Sequence, residues 1–475
     1  MKSIIFLLER RTFLFAAPGI ALVASLFILG AYAAYSGKSQ VARITRAQAD
    51  YVQARGDALD AWRDELVRIE SAPDAPAPAY AARPMNIRKP AVAPPAPLGD
   101  FAIGASDLLP AQTELSAWVN PADLFNEYEF ANPTLLSIGR FDLSMMAVLL
   151  LPLLMIAASF DIWSTERESM RARLIAAQAG AVEPLIWSRL IVRNGLIWGV
   201  FTLVALAAGL AAPGPAGLSA SRLANLAGWI GAAWVYGAFW FALIAFAVAY
   251  CRRGETVAAT LFALWAGFVF LTPAIGGAVG EALYPPPSKL AALSAMRDAK
   301  SEAGKATAEL TKGFLADHPE MTVSDDDVPF YYAGTWLANR EAAVRTAPIL
   351  HAFEDSRRQR RETVDLLQYL SPAVIANRAL LSFAGGDVDR YRAYQAEARA
   401  ALADLSERIG PAVVAKRRLS LAAYDAMDPF TFTETPVGDK ARDLAVPVAF
   451  LSALALALGW GARRRLGAPL EKTLL

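Results

Sequence analysis

The chain has one cysteine, Cys251, in 475 residues. That excludes an intramolecular disulfide and leaves a thiolate metal site without a second ligand. Histidine is almost as scarce: His318 and His351 lie too far apart in sequence to suggest a site, so solvated or capping roles are expected of them. No excess of one charge exists, with a net charge of +1, so no bulk field points to nucleic acid or to an acidic partner. Neither a nucleophile elbow nor a zinc-protease helix occurs. Gly37-Lys38-Ser39 resembles the end of a phosphate-binding loop, but Tyr32 stands where that loop needs its first glycine, so the chain is not expected to bind ATP itself. Asp325-Asp326-Asp327 lacks the glycine and the spaced oxygens of a calcium loop and reads as a solvated acidic turn. No cofactor or metal site is therefore expected.

Charge is also nearly missing from six long apolar runs, at roughly 12–35, 141–160, 190–211, 223–250, 256–276 and 443–462, where Asp142, Arg193 and Asp443 lie only near the ends. Each is long enough to cross about 30 Å of hydrocarbon as a helix. No Asp, Glu, Lys or Arg sits in the middle of any run, and Arg193 and Asn194 lie near an end. Ion-coupled pumps place ionisable groups inside the membrane, so their lack argues against that class. The chain is 55% hydrophobic and 19% charged with a mean hydropathy of +0.32, which leaves room for a substantial part outside the membrane. The first run, Phe13 to Ala34, is twenty-two residues long against about 7–15 for a secretory core, and predicts an uncleaved span despite Ala31-Tyr32-Ala33.

Basic residues fix the expected orientation. Lys2, Arg10 and Arg11 precede the first run, Arg167, Arg171, Arg173 and Arg189 lie between the second and third, Arg252 and Arg253 between the fourth and fifth, and Arg463 to Arg465 after the sixth. With six spans all of these share one side, which places both termini in the cytoplasm. The expected organisation is then a first span in 1–35, an outer insertion at 36–139, spans two to five in 140–276 with a polar helical loop at 161–188, a second outer insertion at 277–442, and the sixth span and tail in 443–475. The fold class is an all-α membrane protein whose two insertions form one mostly helical extracytoplasmic domain.

Within the insertions, Leu59, Trp62, Leu66 and Ile69 form one apolar helical stripe. Eight prolines in the twenty-five residues from Pro73 to Pro97 predict an extended strap. A second stripe (Val388, Tyr391, Gln395, Ala398, Leu402, Leu405 and Ile409) follows the N-cap Asp387 and is expected to stop at Gly410-Pro411.

The most informative stretch is Asp161-Ile162-Trp163-Ser164-Thr165-Glu166-Arg167-Glu168, where an apolar run gives way to charge. The plain reading is a helix end anchored at the interface by Trp163. Glu166-Arg167-Glu168 after span two, the Leu174 to Gln178 segment and Arg189 opening span three together resemble the ABC-2 type permeases, although Ser169-Met170 stands where that family commonly has Gly-Thr. Ser371-Pro372-Ala373, Gly385-Gly386-Asp387 and Tyr391 look like the branch with large periplasmic insertions. The resemblance implies a permease subunit in a bacterial inner membrane, a second permease subunit, and separate ATP-binding subunits that hold the ATP and Mg. It further implies a coupling role for Asp161, Glu166, Arg167, Glu168 and Arg171, with export as the direction. A non-transporting scaffold whose outer domain binds envelope proteins is the alternative, and a membrane enzyme a more distant one.

Overall fold

The computed structural model describes residues 9, 11–13, 15–72, 83–104, 111–120, 124–125, 141–168, 182–211, 218–285, 288–317 and 330–467. Among them, six helices are long and apolar enough to cross a membrane: Ala17–Ser71, Leu143–Arg167, Glu183–Leu210, Ala220–Tyr250, Gly254–Leu283 and Val437–Leu466. The chain is a multi-pass, all-α membrane protein in which, among the described residues, one small sheet is the exception. His318, Asp325 to Asp327, Leu174 to Gln178 and Arg171 lie outside the described residues.

The first helix, α1 (Ala17–Ser71), has 55 residues and runs far beyond any bilayer, about 80 Å at 1.5 Å per residue. The sequence suggested a span ending near residue 35 and a separate polar helix. The two are continuous because no proline interrupts the chain after Pro18, and because the upper half has partners of its own. Leu66 is buried, Trp62 packs against Tyr424 at 5.2 Å, and Arg63 forms a bidentate pair with Asp425 at 2.8 and 2.9 Å. Gly37, the false phosphate-loop glycine, lies inside this helix where the carbonyl of Asp100 crosses it; an added Cβ would sit 1.8 Å from that oxygen.

After the short turn Pro84–Asn86, strand β1 (Arg88–Val92) pairs antiparallel with β2 (Gln112–Ser116) in register Arg88 to Ser116. Part of the proline strap is thus a strand, and Pro90 is tolerated because each strand of a two-stranded sheet is an edge. Helix α1 holds the hairpin through Gln48, whose amide donates to Ala93 O at 2.9 Å.

The second span begins at Leu143–Met145, widens into a π turn at Met146–Leu150, and continues as α2 (Leu151–Ser159). A bent turn leads to the short helix α3 (Ser164–Glu168). Spans three and four are α4 (Glu183–Leu210) and α5 (Ala220–Tyr250). Span five is α6 (Gly254–Ala266), a π turn at Gly267–Leu271 and α7 (Thr272–Leu283). A π turn misaligns carbonyls that hydrocarbon cannot solvate. Here side chains take them up. Tyr236 donates to Val148 O and Trp265 to Leu149 O, both at 3.1 Å, and Ser371 donates to Phe268 O at 2.6 Å.

The second insertion supplies α8 (Lys289–Lys305), α9 (Thr307–Asp317), α10 (Phe330–Leu367), α11 (Pro372–Ala384), α12 (Val388–Val414) and α13 (Leu421–Asp425), and span six is α14 (Val437–Leu466). Unlike its neighbours, α11 joins the core of the spans, burying Ile375, Ala379, Leu380 and Phe383 among them. Its ends are capped as an apolar setting requires: Ser371 accepts from Val374 N at 3.2 Å, and Gly385 turns left-handed at φ 76° so that its N–H reaches Leu381 O at 2.8 Å. Asp387 then caps α12, accepting from Arg390 N at 2.8 Å.

A second core joins the two insertions. Met85, Ile87, Leu115 and Phe125 from the first pack with Trp336, Tyr394, Leu402, Leu405 and Ile409 from the second. The Tyr394 hydroxyl donates to Ala91 O at 2.9 Å, tying α12 to β1. Helix α12 passes the expected stop at Gly410-Pro411 and ends at Val414. Pro411 gives up its bond to the i−4 carbonyl, a cost that the burial of Val413 and Val414 helps offset, and Gly410 leaves room for the Trp336 ring, which an added Cβ would meet at 2.3 Å.

Between this domain and the spans lies a buried ion pair. Arg222, one turn into α5, meets Asp100 at 3.1 and 3.3 Å and also donates to Gly209 O at 2.9 Å and to Pro97 O. Arg222 is 7% exposed and Asp100 5%. Removing one partner strands a charge, so Asp100→Asn should lower stability by about 3–5 kcal/mol, whereas the double change Asp100→Asn with Arg222→Met should recover part of that loss. Thermal unfolding in detergent followed by circular dichroism checks the pair; equal losses in the single and double variants would contradict it. Leu402→Asp, by the same measurement, should cost on the order of 3–5 kcal/mol, since it places a charge in the joint core of the two insertions.

Candidate functional site

The end of the spans opposite the insertions carries a compact ionic network around α3. Phe160 still belongs to the helical ladder of span two, bonding to Ile156 O at 2.9 Å, and the chain then bends so that Ile162 and Trp163, each 1% exposed, anchor the bend in the core. Apolar anchoring of these two residues leaves Asp161 and Glu166 facing α4.

Arg189 and Arg193 stand four residues apart on α4, on one face. Arg189 donates to Glu166 Oε1 at 2.5 Å and to Ile162 O at 2.7 Å, and lies 3.5 Å from Glu9 Oε2. Arg193 donates to Glu9 Oε1 at 3.1 Å, to Ala158 O at 2.8 Å and to Asp161 Oδ1 at 3.2 Å, with its guanidinium 5.1 Å from the Phe13 ring centre. Deeper in, Asn194 donates to Ser159 Oγ at 3.0 Å. On the other flank, Arg167 donates to Cys251 O at 3.1 Å and lies over Trp163, tying α3 to the loop between spans four and five. The side chains of Glu9, Glu166, Arg189 and Arg193 are all less than a fifth exposed.

Three carboxylates (Glu9, Asp161 and Glu166) thus face two guanidinium groups (Arg189 and Arg193), while Arg167 ties the other flank of α3 to a backbone carbonyl. Half-buried charges of this kind hold their partners firmly, because each would otherwise be left in a poorly solvated setting. The mechanical consequence is that α3, the start of the chain, the bend after span two and span three are bound into one unit. No group of His, Cys, Asp and Glu that could hold a metal ion occurs among the described residues.

Of the residues singled out from sequence, Asp161, Glu166 and Arg167 come together here. Glu168 ends α3 and its side chain is outside the described part, as is the whole of Arg171. Glu166 and Arg167 are engaged with the protein's own spans, an arrangement their charge alone did not reveal. Sequence reasoning missed Glu9 altogether and treated Arg193 only as a charge near a helix end. The available signal was the spacing of Arg189 and Arg193, two cations on one helical face with the acidic Asp161 to Glu168 stretch just before them.

A family model described as a domain of unknown function (DUF3526) matches residues 289–433, from α8 to just before span six. No curated protein and no solved structure matches the chain. The network around α3 lies outside the matched stretch.

If the network acts as a unit, Glu166→Gln and Arg189→Gln should each reduce the thermal midpoint in detergent, and the double variant should lose less than the two combined. A coupling energy of about 1–3 kcal/mol is expected for groups in such contact. Strict additivity would mean that the pair contributes nothing.

Proposed function

We propose that the protein is the membrane-spanning permease subunit of an ATP-driven transporter of the ABC-2 type, working with separate ATP-binding subunits and a second permease subunit. The observation that supports this reading is the clamp of Glu166, Arg189, Glu9, Arg193 and Asp161. A soluble partner that pushes on α3 would displace span three and the segment around Glu9 with it, because Glu166 of α3 pairs with Arg189 and Glu9 pairs with both Arg189 and Arg193. Glu166 is then an internal link of the lever, with Asp161, Glu168 and Arg171 as the further residues of the coupling segment. ATP and Mg belong to the partner subunit, and this chain needs no cofactor for its own part.

On this reading the end bearing α3, Arg252, Arg253 and Arg463 faces the cytoplasm of a bacterial inner membrane, and the joint domain of the two insertions faces the periplasm. That domain would receive, release or hand on the cargo, with export as the direction.

Two experiments test the reading. In a Cys251→Ser background, Asp60→Cys and Asp404→Cys should react with a membrane-impermeant maleimide in intact cells, and Arg253→Cys and Arg464→Cys only after permeabilisation; the reverse pattern would turn the molecule over. Purified from membranes in mild detergent, the protein should bring down an ATP-binding subunit in near-equal amount together with vanadate-sensitive ATP hydrolysis. Glu166→Lys, which meets Arg189 with a like charge, should preserve membrane insertion but uncouple hydrolysis from transport or weaken the association. Absence of any ATP-binding subunit, with envelope proteins recovered instead, would favour the scaffold alternative.

A further inference from the structure

A second feature lies at the same end of the spans but on their outer surface. Helices α4, α5 and α14 diverge there to leave a groove of about 800 Å³, the size of a site for a small organic molecule. Trp187 and Phe241, with ring centres 5.9 Å apart, form one wall, and Leu456 and Trp460 of α14, 74% and 58% exposed, form the other. The floor is made of small residues. Gly459 faces Ala242, and even an added Cβ would rest 3.9 Å from the alanine, at ordinary van der Waals distance. Ser452, the one hydroxyl in the lining, turns back to donate to Val448 O at 2.8 Å and so offers the groove no unmet polar group.

The mouth is charged, and unevenly so. Glu183 and Arg463 line it, with Arg463 Nε 3.7 Å from Glu183 Oε1, a long pair whose arginine is 78% exposed. Such an exposed contact is weak and easily exchanged for a better anion. The Arg464 guanidinium stacks over Trp460 at 3.7 Å from the ring centre, immediately beside the mouth. Among the described residues, one carboxylate (Glu183) and two guanidinium groups (Arg463 and Arg464) thus stand at the mouth, a net positive charge at the end of an apolar trough that opens on the outer surface of the spans.

We propose that this groove is a binding site for one anionic glycerophospholipid. An acyl chain lies along Trp187, Phe241, Ala242, Leu456 and Gly459, and the phosphate bonds to Arg463 and Arg464, displacing Glu183 from Arg463. The occupant follows from the place: within the membrane, lipid tails are the apolar groups at hand, and a trough left empty would forfeit contacts along its whole lining. The headgroup follows from the charge, since basic pockets at the ends of transmembrane helices select anionic lipid. Guanidinium groups also suit the tetrahedral phosphate through paired N–H donors. The site is separate from the clamp around α3, and it stands whether or not the transport reading holds.

The full-length protein, purified in a mild detergent and titrated with dioleoyl-phosphatidylglycerol or dioleoyl-phosphatidylcholine, should show one bound lipid by native mass spectrometry, with phosphatidylglycerol favoured on the order of tenfold. Arg463→Ala with Arg464→Ala should bring phosphatidylglycerol down to the level of phosphatidylcholine. Gly459→Leu should fill the floor and abolish both adducts while the thermal midpoint is kept; should that variant prove unstable, Ala238→Leu on the exposed part of the α5 wall blocks the same trough. Equal retention of the two lipids by the parent protein, or full retention by the filled variants, would overturn the proposal. So would a filled variant that loses a dimer of this chain and keeps its lipid, because the groove would then be an interface between copies.

Discussion

Hydrocarbon cannot solvate a charge or an unpaired backbone group, and this constraint explains more of the molecule than any single contact. At the two π turns inside the apolar layer, a side chain from another element donates to a carbonyl of the turn. Tyr236 and Trp265 serve the π turn of span two, and Ser371 that of span five. Charges obey the same rule. Arg222 enters the buried layer only in company with Asp100 and two carbonyls, and Arg189 and Arg193 only with Glu9, Asp161, Glu166 and two more carbonyls. These contacts join distant parts of the chain. The constraint thus builds the clamp around α3 at one end of the spans and the Asp100 to Arg222 junction at the other.

The spans were legible from sequence because they depend on local composition: twenty or so apolar residues without charge leave few alternatives. The second half of the α12 stripe was legible for a similar reason, with Ala398, Leu402, Leu405 and Ile409 all buried where the spacing placed them, whereas Val388 at its start is exposed and the buried Tyr394 lies off the expected stripe. What was not legible rested on contacts between remote residues. The continuity of α1 depends on Tyr424 and Asp425, more than three hundred and fifty residues away. The hairpin places Pro90 in a strand because β2 pairs with it and because Gln48 and Tyr394 donate to the carbonyls of its neighbours Ala93 and Ala91. Helix α12 outruns Gly410-Pro411 because Trp336 needs the space that Gly410 leaves. α11 reads as part of an outer insertion until its buried face is seen among the spans.

The candidate site divides in the same way. That the Asp161 to Glu168 stretch is special follows from charge at the end of an apolar run. That Glu166 binds Arg189 does not, since an exposed acidic residue on a docking helix would have the same sequence. The structure gives α3 inward-facing charges on two flanks, Glu166 toward α4 and Arg167 toward Cys251. On the transport reading, this makes the short helix a lever fixed to the spans, while its solvent side, marked by the exposed Thr165, remains for a partner.

The claim that α3 and span three move as one can be measured with pairs of spin labels. In the assembled complex, labels at Thr165→Cys and Ile191→Cys, both exposed and both belonging to the clamped unit, are followed beside labels at Thr165→Cys and Phe262→Cys on span five. The account predicts that the first distance is unchanged when ATP is added with vanadate, whereas the second shifts. A change in the first distance with the second held fixed would mean that α3 moves independently of span three, and would contradict the clamp as the coupling element.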